Sequence, residues 1–470
     1  MYFDKKINLI KNNKKNILII FLIYFFARYY GCFEKGFWGD EILTFWWTNP
    51  DQGFFDLNER LLKSVPVRDY VPVYYYYLVS LFHNYFGYNV IVTKSFSFLF
   101  SLFAFYFLYR LSKLFLNENF ALLFLTLLAL SNFLIWISHD ARVASFLFFS
   151  QVINIYFFCF YFIFKEKNNK FDLILLLFVN TFILSIHPMN IILIISQFVF
   201  VFLTRFIGRE KISYSTLFVI LLSVLFTVIL NYNYYYQSFS QSAGISNSPL
   251  TWTSLINLNF RTYFASIFFG FLNLVIFLIA IFKFRKIMLK KNFLSFFLII
   301  FLLTYFFIIS VSLLKANVNA PRYYPYIVPI VLAINIYFLQ SIRNVKVLRF
   351  LVYVFLFFSI LSFFIKFNDP IVKSPDAKSY LKVINSKQNI PIVIVDGGNS
   401  LLSHYLNIGF RSKYSNQNIF IIKNKKDLNK MRLLNYWLVC DSAHNSIKDC
   451  QINNEGKYFF IKGFHVTLYN

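Results

Sequence analysis

The stretch Trp38-Gly39-Asp40-Glu41 places two adjacent acids just after the first strongly apolar segment of the chain, Ile17–Cys32. Acids are scarce here, because the chain has 20 Asp and Glu against 46 Lys and Arg. The residues before the pair are apolar enough to cross a membrane, and the residues after it are polar. The stretch therefore marks the first point at which the chain leaves a bilayer, and the fold follows from what lies on either side.

The composition indicates many membrane spans. The chain has 470 residues, of which 58% are hydrophobic and 14% charged, whereas a soluble domain is about 45–50% apolar and about 25% charged. The net charge of +26 is spread over small basic clusters between apolar runs. Cytoplasmic loops of membrane proteins have this distribution, so we expect membrane lipid as a partner and no nucleic acid.

Runs of roughly 20 mostly apolar residues predict about eleven transmembrane helices. The predicted spans are Ile17–Cys32, Val90–Leu111, Phe120–Ile137, Val143–Phe164, Phe171–Ile186, Asn190–Leu203, Thr216–Leu230, Thr262–Phe282, Phe293–Leu314, Tyr323–Leu339 and Leu351–Phe367. The basic clusters between them fall on one side, which predicts a cytoplasmic N-terminus and a first outer loop at 34–89. Within this loop, Val71–Phe86 is expected to be an amphipathic helix on the membrane surface.

The chain after the spans has a soluble composition. We predict a polytopic α-helical membrane domain over 1–367 and a small extracytoplasmic α/β domain over 368–470. The predicted strands are Pro391–Gly398, Ile419–Ile422, Tyr436–Cys440 and Tyr458–Ile461, with a helix at Lys426–Leu434. A disulfide between Cys440 and Cys450 is left open by the sequence.

Acids at the predicted outer face are few. Seven of the 20 lie in the first outer loop: Glu34, Asp40, Glu41, Asp51, Asp56, Glu59 and Asp69. In the membrane region, Asp140 is the one other acid predicted at that face. A reaction there that requires a carboxylate base therefore has a short candidate list. Asp40 also fits the N-cap of a helix that starts at Glu41.

Several cations lie near the predicted outer ends of spans: Arg28, Lys94, Arg142, Arg261, Lys315 and Arg322. Any one of them can snorkel to lipid headgroups. Charges close to a bilayer are costly without water, a partner or a phosphate. Their gathering at the acid-bearing face indicates an anionic lipid substrate for the set.

Four short motifs follow one another at the ends of predicted spans. They are Phe37-Trp38-Gly39-Asp40-Glu41, Val71-Pro72-Val73-Tyr74-Tyr75-Tyr76-Tyr77-Leu78, Ser138-His139-Asp140-Ala141-Arg142-Val143-Ala144-Ser145 and Pro321-Arg322-Tyr323-Tyr324. In this order they resemble motifs of the polytopic C-fold (GT-C) glycosyltransferases, which include protein O-mannosyltransferases and lipid A aminoarabinose transferases. The tyrosine segment has one proline where relatives often have two, and the C-terminal region resembles none of them.

The resemblance implies transfer of a sugar from a polyprenyl-phosphate donor, with inversion. The predicted topology places the reaction at the outer face of the membrane, and the abundance of Phe, Lys and Asn indicates a bacterial cytoplasmic membrane. The acceptor would be a surface glycan, a glycolipid such as lipopolysaccharide, or a protein. Asp40 would be the base that accepts the proton of the acceptor hydroxyl, and Glu41 would have an orienting or structural role. Phosphate-clamp candidates are Arg142, Arg322, Lys94 and Arg261.

The remaining candidates keep more than one interpretation. Asp140 can bind the acceptor, bind a metal ion or pair with Arg142. His139 beside it is a metal candidate, although a lone His-Asp pair is a poor metal signature. The sequence therefore leaves a divalent metal open without supporting it, and no cofactor is assigned. His187 is either a turn residue or a substrate-binding residue, and Tyr74 fits an interfacial belt or sugar stacking. Tyr323 belongs to the arginine-tyrosine motif and is assigned to substrate binding.

The main alternatives are a flippase or transporter of lipid-linked sugars and a glycan polymerase or ligase. Transporters often carry polar or broken helices at mid-membrane, in internal repeats. The sequence shows no repeat, and its polar residues are expected at the outer ends of the spans.

Overall fold

The computed structural model describes residues 2–33, 39–53, 55–63, 73–165, 169–206, 214–232, 236, 251–256, 260–285, 292–314, 320–368, 391–395, 419–422, 436–441, 457–461 and 464–469. The chain divides into two compact units, each considered separately below. The transmembrane unit comprises Met1–Tyr30, Tyr70–Tyr75 and Ser97–Asp369, and the second unit comprises Gly31–Asp69, Tyr76–Phe96 and Pro370–Asn470. The predicted domain boundary between 367 and 368 stays a prediction.

The described part of the chain is mostly helical. Its helices are α1 (Tyr2–Tyr29), α2 (Gly39–Trp47), α3 (Leu57–Lys63), α4 (Tyr74–Phe86), α5 (Val90–Phe115), α6 (Glu118–Ala129), α7 (Asn132–His139), α8 (Val143–Phe158), α9 (Lys170–Ile186), α10 (Ile191–Phe206), α11 (Tyr214–Leu230), α12 (Trp252–Ile256), α13 (Thr262–Phe264), α14 (Ile267–Phe284), α15 (Phe293–Leu314), α16 (Ile327–Gln340) and α17 (Val345–Asn368). A π-helical turn, Cys159–Phe164, extends α8, and 3₁₀ turns lie at Pro50–Gln52, Pro188–Asn190 and Pro321–Tyr323.

The helices make the chain an integral membrane protein. Within the described residues, six helical segments are long and apolar enough to cross a membrane, or seven if α6 and α7 form one bent span. Two shorter apolar helices, α11 and α16, add to them. A helix lies over each predicted span, and the total number of crossings stays a prediction.

Two predicted spans are interrupted. The expected helix Phe120–Ile137 is instead the pair α6 and α7, bent by 56°. The expected helix Thr262–Phe282 breaks at Ala265, whose φ of 61° is left-handed and cannot continue a helix. Ser266 then caps α14 by accepting the Phe269 amide at 3.0 Å. Hydropathy averages over a window, so it gave no sign of either break.

The carbonyl groups at the break between α6 and α7 accept hydrogen bonds from a side chain on α1. Arg28 is fully buried, and its guanidinium donates to the carbonyl oxygens of Ala129 at 3.3 Å and Leu128 at 3.2 Å. Its Cζ lies 3.3 Å from the ring centroid of Tyr24. Arg28 was predicted among the cations for an anionic lipid; the structure instead shows it bound to main-chain carbonyls inside the protein.

The core of the transmembrane unit is one apolar cluster with a polar centre. Helix α9 packs against α8 and α11, α10 against α15, and α6 against α1 and α16. Between α8, α9 and α10, three buried amides form a closed ring. Asn154 donates to Asn180 at 2.7 Å, Asn180 to Gln197 at 2.8 Å, and Gln197 back to Asn154 at 2.8 Å. The expectation that polar residues lie at the outer ends of the spans is therefore wrong for this ring.

The C-terminal part of the second unit contains a mixed sheet. Its strands are β1 (Ile392–Val395), β2 (Ile419–Ile422), β3 (Tyr436–Asp441), β4 (Lys457–Ile461) and β5 (Phe464–Tyr469), in the order β2-β1-β3-β5-β4. β1 is parallel to β2 and β3, and β5 is antiparallel to β3 and β4. The predicted strands coincide with β1 to β4, whereas β5 was not predicted. The predicted helix Lys426–Leu434 lies outside the described residues, as does Cys450.

Replacing Arg28 tests whether its hydrogen bonds stabilise the break between α6 and α7. We expect Arg28→Met to lower the free energy of unfolding by about 1–3 kcal/mol, the cost of one buried acceptor left without its donor. Ala129 loses the Arg28 donor, whereas the Leu128 carbonyl keeps the Ser131 amide at 3.3 Å. Arg28→Lys keeps the charge but cannot reach both carbonyls, so it should fall in between. Thermal unfolding in detergent measures the order. Arg110→Met, at an exposed arginine, is the control, and an equal effect of both Met variants would contradict the assignment.

Candidate functional site

The second predicted outer loop is a short turn between two helices. Asp140 follows the last residue of α7, and Arg142 precedes the first residue of α8. Asp140 is buried, with 2% of its surface exposed, so its carboxyl group faces protein rather than bulk water. Nε2 of His139 donates to the main-chain oxygen of Arg28 at 2.7 Å. The turn is thereby tied to the end of α1.

The turn between α9 and α10 holds His187. The chain needs to reverse there, and Pro188 fits the first position of the 3₁₀ turn because it lacks an amide hydrogen. Nδ1 of His187 accepts the Met189 amide at 3.2 Å. The imidazole lies against the ring of Tyr323, with centroids 4.6 Å apart and planes at 33°.

Two predicted clamp residues act on this imidazole. Burial lowers the pKa of His187 to about 3, and the positive charges of Arg322 and Arg142 lower it further. The side chain is therefore neutral at pH 7. Arg322 also lies over Tyr323, with its Cζ 5.4 Å from the ring centroid. The transmembrane unit thus brings together four predicted site residues: Arg142, His187, Arg322 and Tyr323.

Two amides that the sequence interpretation missed support this assembly. Nε2 of Gln151, on α8, donates to Oδ1 of Asn190 at 2.8 Å and to the carbonyl oxygen of Tyr323 at 3.2 Å. Asn190 donates in turn to the carbonyl oxygen of Ile183 at 2.5 Å. The only sequence signal for either was a polar residue in an apolar run, which does not identify its partners.

The Asp40-Glu41 pair begins α2 in the second unit. The helix starts at Gly39, so Asp40 lies inside its first turn rather than before it. The partial positive charge of a helix N-terminus favours a carboxylate there. Glu41 is buried, with 2% exposure. The side chain of Asp40 and residues Phe37 and Trp38 lie outside the described part of the structure.

His83 links α2 to the helix that carries Lys94. Its Nδ1 donates to the carbonyl oxygen of Thr48, at the end of α2, at 3.1 Å. Its Nε2 lies 2.8 Å from Oγ1 of Thr93, and the next residue is the buried Lys94. Burial lowers the pKa of His83 to about 4, although its bond to Thr48 opposes the shift. Sequence reasoning gave His83 no role.

The other predicted residues are placed individually. Arg261 is exposed and precedes α13, and Tyr263 in that helix donates to the carbonyl oxygen of Pro321 at 3.3 Å. Tyr74 is 39% exposed at the start of α4. Lys315 lies outside the described residues. Among described residues, no three His, Cys, Asp or Glu side chains form a metal-binding group.

Solved structures share this fold. ArnT from Cupriavidus metallidurans in the apo state has a TM-score of 0.60 and 10% sequence identity, covering 96% of this chain and 97% of that one. ArnT bound to undecaprenyl phosphate covers the same shares with a TM-score of 0.57. The archaeal oligosaccharyltransferase AglB from Archaeoglobus fulgidus, in complex with an inhibitory peptide and a dolichol-phosphate, has a TM-score of 0.51 and 10% identity. It covers 91% of this chain and 69% of that one.

The chain therefore has the fold of ArnT and AglB, and the predicted resemblance to proteins of the GT-C fold is confirmed at the level of the fold. The predicted number of about eleven helices and the predicted C-terminal domain stay predictions. No protein-family model and no curated protein matches the sequence. At 10% identity the likeness concerns the fold, and roles for individual residues must come from their own geometry.

The neutral histidines predict a pH dependence of stability. The folded-state pKa of His187 is about 3 and that of His83 about 4, both below about 6.5 for an unfolded chain. Between these values the unfolded chain binds more protons, so stability is complete above pH 6.5 and declines as the pH falls toward 4.

We expect His187→Gln and His83→Gln each to flatten this decline, and the double variant to flatten it most. Thermal midpoints between pH 4 and pH 7.5 provide the measurement. A decline as steep in the double variant as in the wild type would contradict the assignment.

Proposed function

We propose that the chain transfers a sugar from a polyprenyl-phosphate carrier to a hydroxyl group of an acceptor, with inversion at the anomeric carbon. The observation that carries the proposal is the grouping of Arg322, Tyr323 and His187, in which the Tyr323 ring lies 4.6 Å from the imidazole and under the Arg322 guanidinium. Arg142, just before α8, adds a second positive charge that acts on the same imidazole. Two arginines that act on one turn give it a positive potential, which attracts an anion. Guanidinium groups bind phosphate oxygens through paired donors.

The fold supports a lipid phosphate as that anion. ArnT has been solved with undecaprenyl phosphate and AglB with a dolichol-phosphate. Both ligands combine a long isoprenoid chain with a phosphate group. A chain with this fold and an arginine pair at a helix turn has the means to hold such a carrier by its phosphate.

The chemistry assigned to Asp40 follows from the reaction. The acceptor oxygen attacks the anomeric carbon, its proton passes to the Asp40 carboxylate, and the bond from that carbon to the phosphate oxygen breaks. The electron pair leaves with the polyprenyl phosphate, which is stable as an anion and needs no proton donor. Arginines at the phosphate stabilise the added negative charge. We assign Arg142 and Arg322 to the phosphate, and Lys94 and Arg261 remain further clamp candidates.

We assign the reaction to the outer face of a bacterial cytoplasmic membrane, where the predicted topology places the first loop. The acceptor class is a surface glycan, a glycolipid or a protein. Glu41 has an orienting role, and Asp140 and His139 contribute to the acceptor side. Tyr74 and Tyr323 line the binding surface in this assignment.

The buried amide ring gives no support to the transporter alternative. A substrate path at mid-membrane needs polar groups that can exchange partners with the substrate. In the ring of Asn154, Asn180 and Gln197, each amide donates one hydrogen bond to the next and accepts one from the previous. The ring is consequently better explained as a set of hydrogen bonds that fixes the positions of α8, α9 and α10 relative to one another.

Asp40→Asn tests the base. With membranes that contain polyprenyl phosphate linked to a labelled sugar, we expect transfer to fall by about 10²–10⁴, the usual contribution of a general base. Asp51→Asn changes an exposed acid of the same loop and should retain transfer. Full transfer by Asp40→Asn would remove Asp40 from the mechanism. Movement of the labelled lipid across the membrane without transfer would instead favour a flippase.

Arg322→Ala tests the phosphate clamp. We expect the KM for the donor to rise by about tenfold or more, since a charged hydrogen bond is worth about 1.5–3 kcal/mol, while the KM for the acceptor changes little. Arg322→Lys should recover part of the donor affinity. The matched control is Arg110→Ala, at an exposed arginine on α5. Equal donor KM values in the wild type and Arg322→Ala would count against the clamp.

A further inference from the structure

The imidazole of His187 is fixed by its own turn. Its Nδ1 accepts the Met189 amide at 3.2 Å. The main-chain amide of His187 donates to Ile183 at 3.3 Å, and its carbonyl oxygen accepts the Asn190 amide at 3.1 Å. With the Tyr323 ring 4.6 Å away, the side chain, 3% exposed, has one defined orientation.

One side chain on α8 forms hydrogen bonds with both of the turns that surround the His187 imidazole. Gln151 donates to Asn190, in the His187 turn, and to the main chain of Tyr323. Gln151 is itself fully buried. A shift of the histidine turn relative to the Arg322-Tyr323 turn would break one of these two bonds. The relative position of the imidazole and Arg322 is therefore set by buried hydrogen bonds rather than by flexible loops.

The other ring nitrogen of His187, Nε2, is a hydrogen-bond donor. Because Nδ1 accepts a hydrogen bond, a neutral ring carries its proton on Nε2. Within the described residues, Nε2 makes no hydrogen bond of its own. Burial keeps the ring neutral by lowering its pKa, and the charges of Arg322 and Arg142 act in the same direction. The turn thus presents an uncharged N–H next to two cations.

An uncharged donor suits a phosphodiester that becomes a phosphate monoester. The donor lipid carries one negative charge at its phosphate, and the released carrier carries about 1.5–2 at pH 7. Two arginines supply the positive charge that favours the product. A third cation would be repelled by them, whereas a neutral N–H adds a directed bond that strengthens as charge develops on the oxygen.

We propose that His187 is a binding residue of the carrier phosphate, donating its Nε2–H to a non-bridging phosphate oxygen while Arg142 and Arg322 supply the positive charge. The assignment rests on the proposed function for the identity of the ligand. Gln151 and Asn190 are positioning residues in this arrangement, because they act through the turn and through Tyr323. The role of His187 differs from that of the arginines in chemistry: it is directional and adds no charge.

Binding of undecaprenyl phosphate to the full-length protein in nanodiscs at pH 8 tests the proposal. His187→Gln keeps an uncharged amide donor and should bind within about threefold of the wild type. His187→Leu keeps the volume but loses the donor, and we expect affinity to fall by about 10-fold to 100-fold, as for a hydrogen bond to a charged group. Equal affinity of His187→Leu and the wild type would overturn the proposal.

A matched control separates binding from stability. Asn335→Leu removes another buried amide of the transmembrane unit, one that donates to Oδ1 of Asn273 at 3.0 Å. It should lower the thermal midpoint and leave the affinity for undecaprenyl phosphate unchanged. If Asn335→Leu lost as much affinity as His187→Leu, the effect of His187 would be one of stability, and the proposal would be overturned.

Imidazole ¹⁵N spectra give a measurement that a merely structural histidine would not change. The chain has six histidines, and the His187 signal is the one absent in His187→Gln. We expect a neutral ring with its proton on Nε2 between pH 5 and pH 8, and a shift of that signal when undecaprenyl phosphate is added. A charged ring, a proton on Nδ1 or an unmoved signal would each contradict the role.

The outcomes separate this proposal from the proposed function. If undecaprenyl phosphate binds and depends on the His187 donor, but no sugar is transferred, the transferase assignment is wrong and the phosphate site stands. If sugar is transferred and His187→Leu binds the lipid as the wild type does, the transferase stands and the His187 assignment is wrong. A wild-type protein that does not bind undecaprenyl phosphate overturns the His187 assignment as well.

Discussion

The bond between Arg28 and the broken end of α6 is the interaction on which the candidate site depends. A helix that breaks inside a membrane leaves carbonyl groups that water cannot reach, and the protein must satisfy them itself. Arg28 does so for Leu128 and Ala129. The satisfied break lets α7 turn by 56° and end at the buried Asp140. His139, at the end of α7, donates a hydrogen bond to the Arg28 carbonyl. The end of α1 and the helix pair α6 and α7 are therefore bonded to each other in both directions.

The sequence predicted the positions of the helices along the chain better than it predicted where they bend. Charge and hydropathy together predicted Val143–Phe164, over which the structure has a continuous span, and Phe293–Leu314, which the structure reproduces as α15. They failed at α6 and α7, because the mean apolarity of a bent helix and of a straight one is the same. They also misjudged Arg28, since a cation near the end of a span has the same sequence signature whether it meets lipid phosphate or a main-chain carbonyl.

The site shows a similar limit. Motif order selected Arg142 and Arg322, and the position of His187 between two predicted spans selected its turn, yet nothing in one sequence indicated that these three would meet. Gln151 and Asn190 were missed because an amide in an apolar run is ambiguous until its partner is known. Asp40 was selected by its position after the first span and by its motif, and its assignment as base still rests on these. The structure adds most to the sequence-based prediction of the site where buried polar groups on different helices form hydrogen bonds with one another.

The amide ring of α8, α9 and α10 has a consequence for how this protein can evolve. Replacing one of Asn154, Asn180 or Gln197 leaves two amides with broken bonds, whereas replacing all three by apolar residues removes the need for any of them. The three positions are therefore strongly epistatic, and intermediates with one or two changes are the least fit. Substitutions in loops at the membrane surface are independent of this constraint, whereas the three buried amides are expected to be kept or lost together.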